Sequence, residues 1–193
     1  MAASAAGMRQ IRGKEIALVL QSPMSALNPA LRIETQMREA WRAHRDESWS
    51  SVKPGIRELL SEMDLTGNDE FLRRYPRQLS VGQAQRVMIA MAVMHRPKLL
   101  VADEATSALD PDSQQEVLRL FGRLCRVRQM SMLYVSHDLA SVEKLCHKVG
   151  VVDHGVLSPY AGPGPQTPLE SGRVNPITIP GACSPESASS ESS

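Results

Sequence analysis

Apolar residues in this chain gather into a few short runs separated by longer segments with helical spacing. Glu15-Ile16-Ala17-Leu18-Val19-Leu20, Leu99-Leu100-Val101-Ala102-Asp103-Glu104 and Met130 to Val135 are short and apolar, which predicts buried strands. Residues 31–78 read as mostly helical. One helix spans Ile33–His44; a second starts at Val52 or Ile56, near Pro54-Gly55, and runs to Met63 with Leu59, Leu60 and Met63 as its stripe. Gln85 to Met94 carries Val87, Met88, Ile89, Ala90, Met91, Ala92 and Val93, an all-round hydrophobicity that predicts burial on most sides. Pro97 ends that helix. Val117, Leu120, Phe121, Leu124 and Val127 recur at three- and four-residue spacing and mark one face of another. Arg119, Arg123, Arg126 and Arg128 are offset from this stripe and read as solvated. Leu139, Val142 and Leu145 mark a short amphipathic helix, and Val149–Asp153 with Val156-Leu157 a hairpin about His154-Gly155. Residues 1 to 8 carry no pattern.

The junctions between these elements hold the candidate chemistry. Ser80, followed three residues later by Gln83, fits a capping box, in which two side chains reciprocally satisfy orphan N–H groups at a helix start. Gly82 permits close approach of backbone to a ligand, and a helix N-terminus favours anions. Asp110 and Pro111 suit the N-cap and first position of the next helix. Asp103 and Glu104 end one strand, Ser136-His137-Asp138 follows another, and Gln21 ends the first, where open parallel sheets bind their ligands. A phosphate-binding loop beside an acidic pair points to nucleotide chemistry. Gly7 to Glu15 superficially matches the phosphate-cradling G-x-x-x-x-G-K-[ST], but it has five intervening residues, Glu15 in place of the hydroxyl, and a strand after it where a helix belongs. It is rejected, and no other stretch of the 193 residues carries the pattern.

Composition narrows the classes. A formal net charge of +1 with scattered arginines gives no reason to expect a nucleic-acid partner, and 4% aromatic residues leave no stacking platform for single strands. Cys125, Cys146 and Cys183 are widely spaced, which argues against a zinc site or disulfide framework and fits a reducing compartment. No run approaches the ~18 apolar residues of a membrane span, so any membrane contact would be through a partner. From Ser158 onward the chain holds seven of its thirteen prolines with many Ser and Gly, a composition that builds no core and predicts disorder. Trp41 and Trp49 read as packing within the helical segment, the alternative being contact with a partner.

Leu79-Ser80-Val81-Gly82-Gln83 resembles the LSGGQ signature of ATP-binding-cassette (ABC) ATPases, with Val81 for the first Gly. Leu99–Glu104 resembles their Walker B strand, Ser107-Ala108-Leu109-Asp110 their D-loop, Val135-Ser136-His137-Asp138 their switch-histidine segment and Leu20-Gln21-Ser22-Pro23 their Q-loop, all in the family's order. Gln21 to Pro29 is most similar to importers of dipeptides, oligopeptides or nickel. The resemblance implies a P-loop NTPase-like (RecA-like) α/β fold, a parallel sheet with a helical subdomain at 31–78 that leans on a membrane-spanning subunit. It implies a domain spanning 9–157 that lacks the Walker A loop, as though the chain began part-way through it, followed by the 158–193 tail. An unpaired gap in the sheet, exposed apolar surface and marginal stability are expected from that lack.

The resemblance also implies ATP and Mg²⁺ as cofactors. Asp103 and Gln21 would hold the metal, Glu104 would act as general base, His137 would sense the γ-phosphate, and Ser80, Gly82, Gln83 and Asp110 would cap ATP held by a second ABC subunit. Val81, a β-branched residue replacing Gly, predicts weaker capping. The implied partners are permease subunits and a second ATPase subunit, and the implied location is the cytoplasmic face of the cell membrane. Besides an importer ATPase, two readings stay open: a non-hydrolytic half-site partner that lends its signature loop to a complete subunit, and a soluble ABC ATPase of DNA repair or translation.

Overall fold

A computed structural model describes residues 5–160 and 175–178. Eight helices and six strands occur among them: α1 (Ala5–Ile11), β1 (Ile16–Val19), α2 (Pro23–Ala26), α3 (Ile33–Arg42), α4 (Trp49–Glu62), α5 (Asp69–Leu72), α6 (Val81–Val93), β2 (Leu99–Asp103), α7 (Pro111–Arg128), β3 (Ser131–Val135), α8 (Leu139–Leu145), β4 (Val149–Asp153), β5 (Val156–Pro159) and β6 (Asn175–Thr178).

The sheet order is β1-β2-β3-β6-β4-β5. β1, β2 and β3 pair in parallel, with Val19 opposite Ala102 and Asp103 opposite Val135, so their C-terminal ends lie side by side. β4 and β5 form the expected hairpin, and its turn residues His154 and Gly155 both take positive φ, 46° and 80°, the conformation of a tight primed turn. The expected gap is filled: β6 pairs antiparallel with both β3 and β4. It falls within the segment expected to stay outside any ordered structure; residues 161–174 and 179–193 lie outside the described residues.

One face of the parallel strands is closed. Ala17, Val19, Leu100, Ala102, Met132 and Tyr134 are buried, with α6 packed on β1 and the Phe121 ring of α7 against Tyr134 at 6.4 Å. On the other parity Ile16 and Leu18 are 41% and 52% exposed. Parallel sheets normally cover both faces, so the outer face of β1 is unusually open for an apolar strand.

Several boundaries depart from the sequence reading for identifiable reasons. α1 occupies residues with no apolar pattern. α4 begins at Trp49, upstream of Pro54: Ser48 caps it by accepting the Ser51 N–H, and Trp49 Nε1 donates to Glu34 at 2.9 Å. Pro54 then sits inside the helix at the cost of one backbone bond. Val127 is 73% exposed although it continues the α7 stripe. The four arginines of α7 are not uniformly solvated: Arg123 donates to Glu62 O and to Asp64, and Arg128 donates to Glu62. With Arg86, which donates to Met63 O and pairs with Asp64 and Glu116, they tie the end of α4 to α6 and α7. Trp41 is half-buried and stacks on His95 at 5.3 Å; Trp49 is also half-buried against the core.

The helical region carries its own ion-pair network. Lys53 bridges Glu34 (2.8 Å) and Asp69 (2.7 Å), and Arg57 reaches Asp69 at 2.6 Å. Lys53, and then Arg57, pull the Asp69 carboxyl down to about 2. A folded-state pKa below the unfolded one means that the contribution is present above about pH 4 and lost as the pH falls toward 2. Asp69→Asn is therefore expected to flatten the pH dependence of the thermal midpoint between those limits, read from melts of both proteins.

Candidate functional site

The side-by-side ends of β1, β2 and β3 bring together Gln21, the Asp103-Glu104 pair and the Ser136-His137-Asp138 segment. β2 ends at Asp103. Glu104 then turns out of the strand line with φ 46°, a left-handed conformation that a non-glycine residue adopts only when its surroundings hold it there. Three bonds hold it: its N–H donates to Val135 O at 2.8 Å, and its carbonyl accepts from Ser107 N–H at 3.1 Å and Ser107 Oγ at 2.9 Å. The turn separates the two carboxylates. Asp103 stays exposed at the strand end, while Glu104 Oε1 lies 3.1 Å from His137 Nδ1. A carboxylate only accepts, so Nδ1 carries the proton in this contact and Nε2 is the ring's remaining functional atom.

A polar network behind His137 was not read from the sequence. Asp138 caps α8 by accepting the Ala140 N–H at 3.1 Å, and it accepts from Ser141 Oγ and from Gln114 Nε2 (2.8 Å). Its own N–H donates to Ser136 Oγ at 3.0 Å. The Ser141 hydroxyl, helped by the Gln114 amide, holds the Asp138 carboxyl below its ordinary range against the opposing effect of burial. Deeper still, Thr106 Oγ1 and Tyr134 OH are 2.8 Å apart and both residues are buried. Burial pushes the Tyr134 phenol up. The signal available in the sequence was Tyr134 itself, at an inward position of β3 where a phenol needs a partner. Gln114, by contrast, comes from α7, and nothing local announces that it reaches Asp138.

The capping box forms as read. Gln83 N–H donates to Ser80 Oγ at 3.1 Å and Ser80 N–H donates to Gln83 Oε1 at 3.2 Å. Ser80 thereby uses its hydroxyl oxygen as an acceptor and keeps its O–H for another partner; Gln83 likewise keeps its amide N–H₂. Asp110 caps α7 by accepting the Ser113 N–H at 3.0 Å, and that bond holds its carboxyl below the ordinary range. The two helix starts are neighbours, because a Cβ on Gly82 would stand 3.3 Å from Ser113 Oγ. The absence of a side chain at Gly82 thus lets α6 and α7 open close together. The eight residues read from the sequence fall into two groups: Gln21, Asp103, Glu104 and His137 at the strand ends, and Ser80, Gly82, Gln83 and Asp110 at the paired helix starts.

Comparison with known proteins places the chain in a family. The ABC transporter family model matches residues 2–107. A peptidoglycan transport ATP-binding protein, YejF, of Agrobacterium fabrum is 42% identical over 150 residues, covering 78% of this chain and 28% of that protein. The dipeptide transport ATP-binding protein DppD of Bacillus subtilis is 37% identical over 151 residues, 78% of this chain and 45% of that protein. The chain thus spans less than half the length of these relatives. Among solved structures, the dimeric structure of MJ0796, a bacterial ABC transporter cassette, superposes with a TM-score of 0.62 at 26% identity, over 73% of this chain and 60% of that one. The P-loop NTPase-like fold is that of these cassettes, and this chain belongs to the ABC transporter family.

Proposed function

We propose that this chain is part of the ATP-hydrolysing, energy-coupling subunit of an ABC importer for peptides. The observation that carries the reading is the 3.1 Å contact between Glu104 and His137 at adjoining parallel strand ends. Glu104 would polarise an attacking water, and His137 would hold that carboxylate through Nδ1–H beside the γ-phosphate. Asp103 and Gln21 are exposed oxygen donors on neighbouring strand ends. Two such oxygens suit Mg²⁺, which keeps several waters and takes the rest of its shell from phosphates. ATP supplies the phosphoanhydride bond to be cleaved, and Mg²⁺ offsets its charge. Ser80 and Gln83, with donors to spare after capping, suit the capping of ATP on a second ABC subunit, with Gly82 and Asp110 beside them.

Peptides are favoured by the resemblance of Gln21–Pro29 to peptide importers, and by the dipeptide and peptidoglycan transport named for the relatives. Nickel is the alternative solute within the same resemblance. The remaining partners would be permease subunits, met by the helical subdomain at 31–78, on the cytoplasmic face of the membrane. No described helix is long and apolar enough to cross it.

A second reading, the half-site partner, is favoured by the donors that Ser80 and Gln83 keep after capping each other. The 193 residues carry the capping loop but no G-x-x-x-x-G-K-[ST]. The purified chain is therefore expected to show negligible Mg²⁺-dependent ATP turnover alone. Mixed with a P-loop-bearing cassette whose own signature serine is replaced, it is expected to form an ATP-dependent dimer that Ser80→Ala abolishes. Turnover by the chain alone, lost in Glu104→Gln, would overturn the half-site reading; no mixed dimer at saturating ATP would count against both.

A further inference from the structure

A cavity of about 610 Å³ lies between α7 and α8, with Met130 and Met132 near the start of β3 among its lining residues. It sits toward the opposite end of β3 from Glu104 and His137, and nothing in the proposed ATP chemistry uses it. Its floor is apolar: Leu118, Met130 and Met132 are buried, and Leu145 adds a half-buried wall. Its rim is cationic. Arg119, Arg126 and Lys144 are exposed there, and no carboxylate lines the cavity.

The four arginines of α7 divide by what they face. Arg123 and Arg128 are committed to Asp64 and Glu62. Among the described residues the Arg119 and Arg126 side chains have no ion-pair or hydrogen-bond partner, and Lys144 makes only a 3.4 Å contact to Gln115. Gly122 keeps the groove open, since a Cβ there would meet only Leu145 Cδ1, at 3.9 Å. An apolar floor of adaptable methionines under an uncompensated cationic rim, at a volume typical of small-molecule sites, defines one ligand chemistry. We infer that this cavity binds a small organic anion with an apolar body, its phosphate, sulfonate or carboxylate head on Arg119 and Arg126 and its body on Met130 and Met132.

The probe for the full chain is the fluorescent dye anilinonaphthalene sulfonate, with uncharged phenylnaphthylamine as its neutral counterpart. Arg119→Ala/Arg126→Ala is expected to weaken sulfonate binding about tenfold, equivalent to about 1.4 kcal/mol, and to leave the neutral dye unchanged. Gly122→Met, which fills the groove, is expected to weaken both dyes. Dodecyl phosphate is expected to displace the sulfonate dye. Because the open face of β1 is another apolar surface, Leu18→Ser is the control, and the tenfold loss is expected to persist in its background. Unchanged sulfonate affinity in the arginine variant, loss of binding in Leu18→Ser alone, or displacement only by an acidic amphipathic peptide would overturn the proposal. Far-UV circular dichroism establishes that each variant is folded.

Discussion

Glu104→Gln is expected to lower ATP turnover by about two to four orders of magnitude, the range spanned by loss of a positioned general base. The measurement needs a phosphate cradle, so the assay protein is a chimera in which the P-loop-bearing half of an ABC cassette precedes Arg9 of this chain. Glutamine keeps the shape of Glu104 and its contact with His137, at 3.1 Å in the native pair, but no longer offers a basic oxygen to water. ATP affinity should consequently hold while turnover falls. Equal loss in both would mean that Glu104 serves binding, and an unchanged rate would remove it from the chemistry. His137→Gln is the companion variant: it leaves the carboxylate intact, so a defect there would report positioning.

The largest stability effect is expected at Phe121. Its ring is fully buried and meets Tyr134 at 6.4 Å with a tilt of 58°, joining α7 to the closed face of the sheet. Phe121→Ala removes that area and leaves a cavity walled by helix and strand, which costs about 3–5 kcal/mol. Tyr134, whose hydroxyl meets Thr106, would also lose a packed neighbour. Chemical denaturation should show a lowered midpoint with an unchanged slope. Val127→Ala on the same helix is the contrast: at 73% exposure it should change stability by no more than about 0.5 kcal/mol. A large effect there would mean that the α7 stripe extends to Val127 in solution.

Legibility in the sequence followed the range of the interaction. The Ser80–Gln83 box, the Asp110 cap and the His154-Gly155 turn were readable because each is settled within four residues by backbone donors and permitted φ. The strand ends bearing Asp103-Glu104 and His137 were readable because short apolar runs stop there. What stayed hidden depends on partners far along the chain. Arg86 pairs with Asp64 and Glu116, Gln114 reaches Asp138, and Arg123 and Arg128 reach the end of α4. Arg123 and Arg128 looked solvated, and Arg86 and Gln114 drew no reading, because nothing nearby in sequence competed for them. Trp49 illustrates the same point for a helix boundary, where a carboxylate fifteen positions upstream anchors a start that Pro54 argued against.

The position of β6 has a mechanical consequence. Among the described residues it alone joins β1–β3 to the β4–β5 hairpin within the sheet, and only Tyr134↔Thr178 and Val135↔Ile177 register it against β3. Pro176, inside this strand, has no amide hydrogen to contribute to a ladder. The sheet thus has a seam: a tightly laddered parallel half and a separate hairpin, stitched by four residues reached from β5 through a long stretch of chain. Tension applied across the strands would part the sheet along that seam before it disturbed the Glu104–His137 pair, which lies wholly on the parallel side.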